Sequence, residues 1–433
     1  MPYLISPETR INTYVLSRQS APETVALVGG GYVTAWSGAG PTDSGYSVYL
    51  QRFDAAGARV GEEVLVNTTS IYSQQNPTIT ALPSGGYAVV WDSIVPGGGA
   101  GDPSALGVFV RTFDAAGLPM GADVQVSGHG YAQQVSSLPG GGFVVSWTHA
   151  ADYPFSGVSA QRYNAAGQPE GPTFVLDQDR DATLSSIVAT DIGFVAVWRA
   201  SNDSGATIAI QSFDVAGARL GETTRISRDN DSTAPEIVRL ADGGFALVWR
   251  EADGLWAQVL ADDAQPSGER IMVQAVSGGA SLLHSVVATP DGGFAIAWER
   301  FAGSAQASIT VATFWADGTR NAEPISVRTG IGTPGEAPGL TVLPSGDLVV
   351  TYARYVGDIA NYYDVFEVRL SVQSGLITGT DASERLVGSV AADQLIGLNG
   401  DDTLFGLAGD DILNGGGGSD VLHGGAGLDA AVY

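Results

Sequence analysis

Seven times the chain writes a short apolar strand that ends on a large aromatic residue. The strands are Tyr-Val-Thr-Ala-Trp36, Tyr-Ala-Val-Val-Trp91, Phe-Val-Val-Ser-Trp147, Phe-Val-Ala-Val-Trp198, Phe-Ala-Leu-Val-Trp249, Phe-Ala-Ile-Ala-Trp298 and Leu-Val-Val-Thr-Tyr352. Their spacing is about 50 residues, the period of a supersecondary unit that must stack on copies of itself to bury its faces. The strands do not alternate apolar with polar. Phe143, Val145 and Trp147 point one way and Val144 and Ser146 the other, so both faces need cover. A sheet with one wet face would show alternation.

The residues around each anchor complete a four-stranded unit. A short apolar strand and a tight turn precede it, as in Thr-Ala-Leu-Pro-Ser-Gly-Gly before Tyr87. A variable loop and a third strand follow, then Asp54-Ala-Ala-Gly57, which recurs at Asp114, Asn164 and Asp214. Glycine at the end of that tetrad suits the left-handed residue of a hairpin turn. A fourth strand closes each unit, for example Glu-Val-Leu-Val66 and Thr-Phe-Val-Leu176. Seven such units predict an all-β chain with a seven-bladed β-propeller over residues 1–373. The seventh unit has only three strands of its own. Glu8-Thr-Arg-Ile-Asn-Thr-Tyr-Val-Leu16 has the character of a fourth strand and precedes the first unit, so it is expected to complete blade seven and leave no open edge. A linear array of sandwich modules would explain the repeat but not this displaced strand.

A different repeat fills residues 374–433. From Gly388 to Val432 five nonapeptides run in unbroken phase, with Asp393, Asp402, Asp411, Asp420 and Asp429 in the sixth place. Leu395, Leu404, Leu413, Leu422 and Ala431 hold the eighth place. A weaker copy, 379–387, puts Glu384 and Leu386 in register. Glycines in the first and fourth places, at Gly397, Gly400, Gly406, Gly409, Gly415, Gly418, Gly424 and Gly427, make the first six residues a turn. The last three have strand character with one inward leucine. An aspartate at one place in every turn builds a ladder of like charges, and stacked carboxylates need a cation between them. A hard cation with many oxygen ligands, Ca2+, is the match.

This segment resembles the RTX repeat, a calcium-binding nonapeptide signature. The resemblance implies a flattened parallel β-roll with each ion between a turn and the next turn on the same side. Three sites are then expected: Asp393 with Asp411, Asp411 with Asp429, and Asp402 with Asp420, giving about three or four Ca2+ ions over the roll. Ala391 stands where glycine is expected, so the first of these is the least complete. The resemblance further implies secretion through a bacterial type I exporter without a cleavable signal peptide, and folding on meeting extracellular Ca2+. The N-terminus has no basic and apolar leader. The family's C-terminal export signal is either absent or lies past Tyr433.

Composition removes several classes of partner. The net charge is −26, and all twenty basic residues are arginine. A phosphate backbone needs a basic surface, so nucleic acid is excluded as a partner, and membrane insertion is not expected. There is no cysteine, hence neither disulfides nor thiolate metal sites. The chain is expected to be monomeric. No zinc, nucleophile-elbow or phosphate-loop motif occurs, so no catalytic residue is assigned.

The variable loops share one rim of the propeller, where binding usually sits. That rim carries Arg199, Arg250, Arg300 and Arg354, each one or two residues past an anchor, with Tyr153, Phe155, Phe301, Tyr355, Tyr362 and Tyr363 nearby. This set suits an anionic glycan or a protein ligand; ion pairs with Glu251 and Glu299 are the alternative. Asp177-Gln-Asp179-Arg-Asp181 begins like an EF-hand loop, but Ala182 and Val188 stand where glycine and glutamate belong. Ser201-Asn-Asp203-Ser-Gly205-Ala-Thr207 resembles the Asp-box of sialidase-type propellers, but occurs once and lacks the closing aromatic. The expected function is therefore a secreted calcium-binding protein whose propeller binds or adheres. The alternatives are a structural module of a larger surface protein and a hydrolase or lyase using carboxylates across the central channel.

Overall fold

The computed structural model describes all residues except 1–2, 16, 41–44, 69–72, 95–105, 150–156, 179–181, 203–204, 227–232, 277–280, 302–306, 330–335, 357–362, 373–374, 390 and 433. The described chain is all β: seven antiparallel blades and then two small parallel sheets. Blade one contains Gln19–Ala26, Tyr32–Gly38, Ser47–Phe53 and Arg59–Leu65, paired in that order. Its innermost strand is matched by Ser73–Ala81, Gly130–Ser137, Thr183–Thr190, Thr233–Arg239, Ser281–Ala288 and Gly339–Val342 in blades two to seven. Each innermost strand packs on the next, and the seventh packs on the first, so the ring is closed.

The doubly apolar anchor strands are what make a ring possible. Tyr32–Gly38 is buried along its whole length. In blade three, Phe143, Val145 and Trp147 join the cluster shared with blade two, while Val144 joins the cluster shared with blade four. The described residues form seven such clusters, one at each blade junction. An aromatic stack runs along the strands as well. The first residue of the anchor strand lies on the last aromatic of the third strand, as in Tyr32–Phe53 at 4.8 Å and Phe294–Phe314 at 5.0 Å between ring centroids. The turn that follows is locked by its acid. Asp54 Oδ1 accepts from the amides of Ala56 (2.9 Å) and Ala58 (2.8 Å), and Gly57 sits at φ +85°.

Anchor indoles are buried with their N–H satisfied in four blades. Trp36 Nε1 donates to Gln19 (3.0 Å), Trp91 to Gln74 (2.8 Å), Trp198 to Asp177 (2.6 Å) and Trp249 to Glu251 (2.8 Å). A buried polar group without a partner would be costly.

Blade seven comprises Gly339–Val342, Leu348–Tyr355 and Tyr363–Val372, and takes its outer edge from the N-terminus. The closing segment lies further upstream than the sequence pattern suggested. Tyr3–Ile5 and Thr9–Arg10 pair with Tyr363–Val372, whereas residues 13–15 are not strand. The cause is Asn12. Its side chain donates to Asp364 (2.7 Å) and accepts the Val365 amide (2.7 Å), which ends the pairing two residues after Arg10. Ile11 is fully buried beside Tyr32, Trp36 and Val365, so the seam has its own core.

The C-terminal sheets are parallel. Leu376–Thr378, Gln394–Ile396, Ile412–Asn414 and Ala430–Val432 form one; Arg385–Val387, Thr403–Ala408 and Val421–Ala426 form the other. Partners are 18 residues apart, two nonapeptides, so successive units alternate between the sheets. Leu395, Leu404 and Leu413 fill the space between them, with Ile377, Leu386 and Leu422 at the ends. Arg385 joins roll to ring. It is sandwiched between the rings of Trp315 and Phe405, 4.1 Å from each centroid, and donates to the Asp291 carbonyl at 2.6 Å.

Candidate calcium centre and the propeller faces

Every complete turn of the roll is held by its sixth-place carboxylate. One oxygen reaches back 18 residues to a main-chain amide. Asp402 Oδ1 accepts from Glu384 N (2.8 Å), Asp411 from Asp393 N (2.8 Å), Asp420 from Asp402 N (2.9 Å) and Asp429 from Asp411 N (3.1 Å). Two ladders result, one of Glu384, Asp402 and Asp420, the other of Asp393, Asp411 and Asp429.

The second oxygen points into the turn. Oδ2 of Asp402 and of Asp411 is buried and has no hydrogen-bond partner. The first-place glycines make room for these oxygens. A Cβ on Gly397 would lie 2.3 Å from Asp402 Oδ2, and one on Gly406 would lie 2.2 Å from Asp411 Oδ2. The same cradle recurs at Gly415 against Asp420 and at Gly424 against Asp429, both 2.3 Å. Gly400, Gly409, Gly418 and Gly427 hold positive φ in the fourth place and bring the main chains of stacked turns together.

The Asp411 carboxyl is held above its ordinary pKa. Burial is the main cause, the Asp393 amide opposes it, and the charges of Asp393, Asp429 and Asp410 add to it. Two desolvated carboxylate oxygens with no donor, set among main-chain carbonyls, fit a hard cation. Among the described residues no three acidic or imidazole side chains converge, so an ion here would draw most of its ligands from main-chain carbonyls and water. Asp402 with Asp420, and Asp411 with Asp429, would hold the ions. A bound Ca2+ would neutralise the ladder's charge.

The first turn differs. Asp393 Oδ2 is already used by the amide and hydroxyl of Ser389. Glu384 is likewise closed on Thr380. A side-chain donor here stands in for the ion's charge, so the pairing of Asp393 with Asp411 has one fewer free oxygen than its neighbours. Ser389 carried this signal in the sequence, as the one first-turn residue able to donate to the aspartate four positions on.

On the propeller, the four arginines do not form one patch. Arg199 and Arg250 are one residue past their anchors, Arg300 and Arg354 two, and successive strand residues face opposite ways. Arg354 pairs with Glu8 (3.1 Å) and lies over Phe366. Arg300 is exposed, and Arg199 is half-buried in a cleft with Thr183, Ser185, Pro235 and Glu236. The Arg250 charge is felt at His284. Glu251 is engaged by Arg270 (3.0 Å) rather than by any of the four. Tyr153, Phe155 and Tyr362 lie outside the described residues, as do Asp179, Asp181 and Asp203; the side chain of Phe301 does too. Asp177 is described, and serves the Trp198 indole. Tyr355 and Tyr363 meet edge to face at 5.6 Å, with Arg18 over Tyr363.

These features define a seven-bladed β-propeller carrying a C-terminal calcium-binding β-roll. Residues 378–413 and 396–430 each match the RTX calcium-binding nonapeptide repeat family. No curated protein matches the chain in sequence. In fold, it is similar to a protein of unknown function from Dyadobacter fermentans, at a TM-score of 0.53 and 13% identity over 84% of this chain and 98% of that one. An ulvan lyase of polysaccharide lyase family PL25 aligns at 0.49 and 11% identity, over 82% of this chain and 95% of that one. An α-L-arabinofuranosidase from Fusarium graminearum aligns at 0.49 and 11% identity, over 85% and 98%. Among the described residues no helix is long and apolar enough to cross a membrane.

Proposed function

We propose that this is a secreted protein whose roll, residues 374–433, folds when it meets extracellular Ca2+, and whose propeller, residues 1–373, is a binding or adhesion module. The observation that carries the reading is the pair of buried, unpartnered oxygens, Asp402 Oδ2 and Asp411 Oδ2. Without a cation they make the roll's core electrostatically costly; with one they become ligands. Ion binding to the folded roll alone is then folding free energy. Low cytosolic Ca2+ keeps the segment unfolded, as type I export requires, and millimolar Ca2+ outside closes it. The loop rim is the proposed ligand face, with a glycan or protein ligand as its occupant; of the four arginines on it, Arg300 is exposed and Arg354 is held by Glu8.

The test is hydrogen exchange of the full chain in chelator and in millimolar Ca2+. Peptides covering 394–430 should gain protection with Ca2+ while the blade peptides change little. Equal protection of 394–430 in both conditions would defeat the folding switch. A glycan array with and without Ca2+ tests the ligand face, and silence in both arms would remove it.

A further inference from the structure

The seven innermost strands can be aligned on one position, the residue paired with the one just before each anchor aromatic. That position is Glu23, Thr78, Gln134, Ser186, Glu236 and Ser285 in blades one to six. Gly339 holds it in blade seven. The six polar side chains line a common cavity of about 270 Å3 on the propeller axis. Blades one and five are as far apart as a sevenfold ring allows, so the two glutamates face each other across the channel. They are close enough for the charge of Glu23 to be felt at Glu236.

Among the described residues neither glutamate has a cationic partner, and Glu236 accepts only the Val286 amide, at 3.2 Å. Glu23 makes no hydrogen bond or ion pair among the described residues. Burial pushes Glu23 up to about 7; burial first, then Glu23, pushes Glu236 up to about 8. A third group is also unsatisfied. His284 lines the same cavity, is 2% exposed, and has no hydrogen-bond partner on either ring nitrogen. The backbone groups of Val248 and Leu282 lie close enough to favour its proton, but neither reaches hydrogen-bond geometry. Thr78 Oγ1 is a further buried oxygen without a partner. Unsatisfied polar groups lining one cavity call for an occupant.

We propose that the channel binds Ca2+ between Glu23 and Glu236. Hydroxyl and amide oxygens of Thr78, Gln134, Ser186 and Ser285 and ordered waters complete an all-oxygen shell, and neutral His284 accepts from one of those waters. Only two carboxylates enter the shell, consistent with no group of three acidic or imidazole residues converging among the described residues. An acid–base reading of the same pair is less well supported. Among the described residues the remaining walls are Val, Ile, Leu, Pro, Ala and short hydroxyl residues, with no aromatic or arginine to hold a substrate.

Equilibrium dialysis of the full chain against Ca2+ counts bound ions directly. E23Q/E236Q should bind one ion fewer than wild type and keep the roll's ions. A full chain with Asp402, Asp411, Asp420 and Asp429 all changed to Asn should keep one ion. An unchanged count in the double variant, or no ion in the roll variant, would overturn the proposal. Should the double variant not fold, E23Q alone decides, because the Glu23 carboxyl makes no bond that the fold uses. Its channel ion should bind roughly tenfold more weakly, as loss of one ligand charge requires, and unchanged affinity would overturn the site.

Discussion

Leu404→Ala measures how far the roll depends on calcium. Leu404 is fully buried between Leu395 and Leu413, and these three are the only roll leucines excluded from solvent. The substitution removes three carbons, about 2.4 kcal/mol at ~0.8 per methylene, and a residual cavity brings the cost to about 3 kcal/mol. With so small a core, the ions must supply the difference. Spread over the three sites expected from the repeat, the loss is about 1 kcal/mol each, which raises the Ca2+ midpoint about fivefold. The control is Ile412→Ala, one residue before Leu413 on the opposite face and 43% exposed. It should cost under about 0.5 kcal/mol and leave the midpoint within about twofold. Hydrogen exchange of the 394–430 peptides across a Ca2+ titration reads both variants in the intact chain. A Leu404→Ala midpoint indistinguishable from that of Ile412→Ala would refute the idea that this leucine column and the ions share the work of folding.

Asp411→Asn should raise the same midpoint by about tenfold or more, and Asp393→Asn by much less, because the free oxygen of Asp411 is matched in Asp393 by one already bound to Ser389; equal effects would contradict the assignment. In chelator the propeller should lose stability as pH rises. Asp92, Glu299 and Glu367 are pushed up to about 7, chiefly by burial. The folded state therefore holds protons that the unfolded chain releases near pH 4, so the benefit is complete below that pH and lost as pH passes about 7. Calorimetry should show the melting temperature falling between about pH 5 and about pH 8, and Glu299→Gln should flatten the fall; a flat wild-type profile would show these carboxyls to be solvated. Arg385→Ala removes the bridge between Trp315, Phe405 and the Asp291 carbonyl. It should abolish any Ca2+-dependent protection in peptides around 289–292 and 313–316 while sparing that of the roll, at a cost of about 2 kcal/mol in docking; persistence of the coupling would mean that other contacts carry it.

The ring and the roll were legible because their signals are periodic. An indole about every 50 residues and an aspartate every nine survive any uncertainty about local geometry. The channel was not legible, and the reason is local. In most blades the innermost strand carries a bulge just before the channel position, so a count from the start of the strand slips by one residue. Ala21, Asn76, Ala132 and Ala234 sit there at φ near +50°, a conformation that alanine does not advertise. Glu23 and Glu236 become equivalents only once strand pairing is known. The aromatic stacks were missed for a simpler reason: Phe53, Phe113 and Phe213 read as the ordinary end of a third strand, and only the pairing sets Tyr32, Tyr87 and Phe194 against them. The closing strand was correctly assigned to blade seven but placed too late, since Glu8–Leu16 has the better hydrophobic pattern while Asn12 decides where pairing stops.

The way the seam is strung has a mechanical consequence. Tyr3 pairs with Val372 and Ile5 with Leu370, so the outer strand's first residues lie beside the end of the strand that leads to the roll. A tension drawn between the roll and the N-terminal segment therefore acts on one end of an antiparallel pair. It breaks the hydrogen bonds one after another, as a zipper opens, rather than loading all of them together in shear. The peel would run from Tyr3 towards Arg10 and halt at Asn12, where two side-chain bonds and the buried Ile11 hold the fold. Six blades would remain intact behind it. A ring clasped in this orientation yields at low force at one place and keeps the rest of its structure, and it can close again when the pull is released.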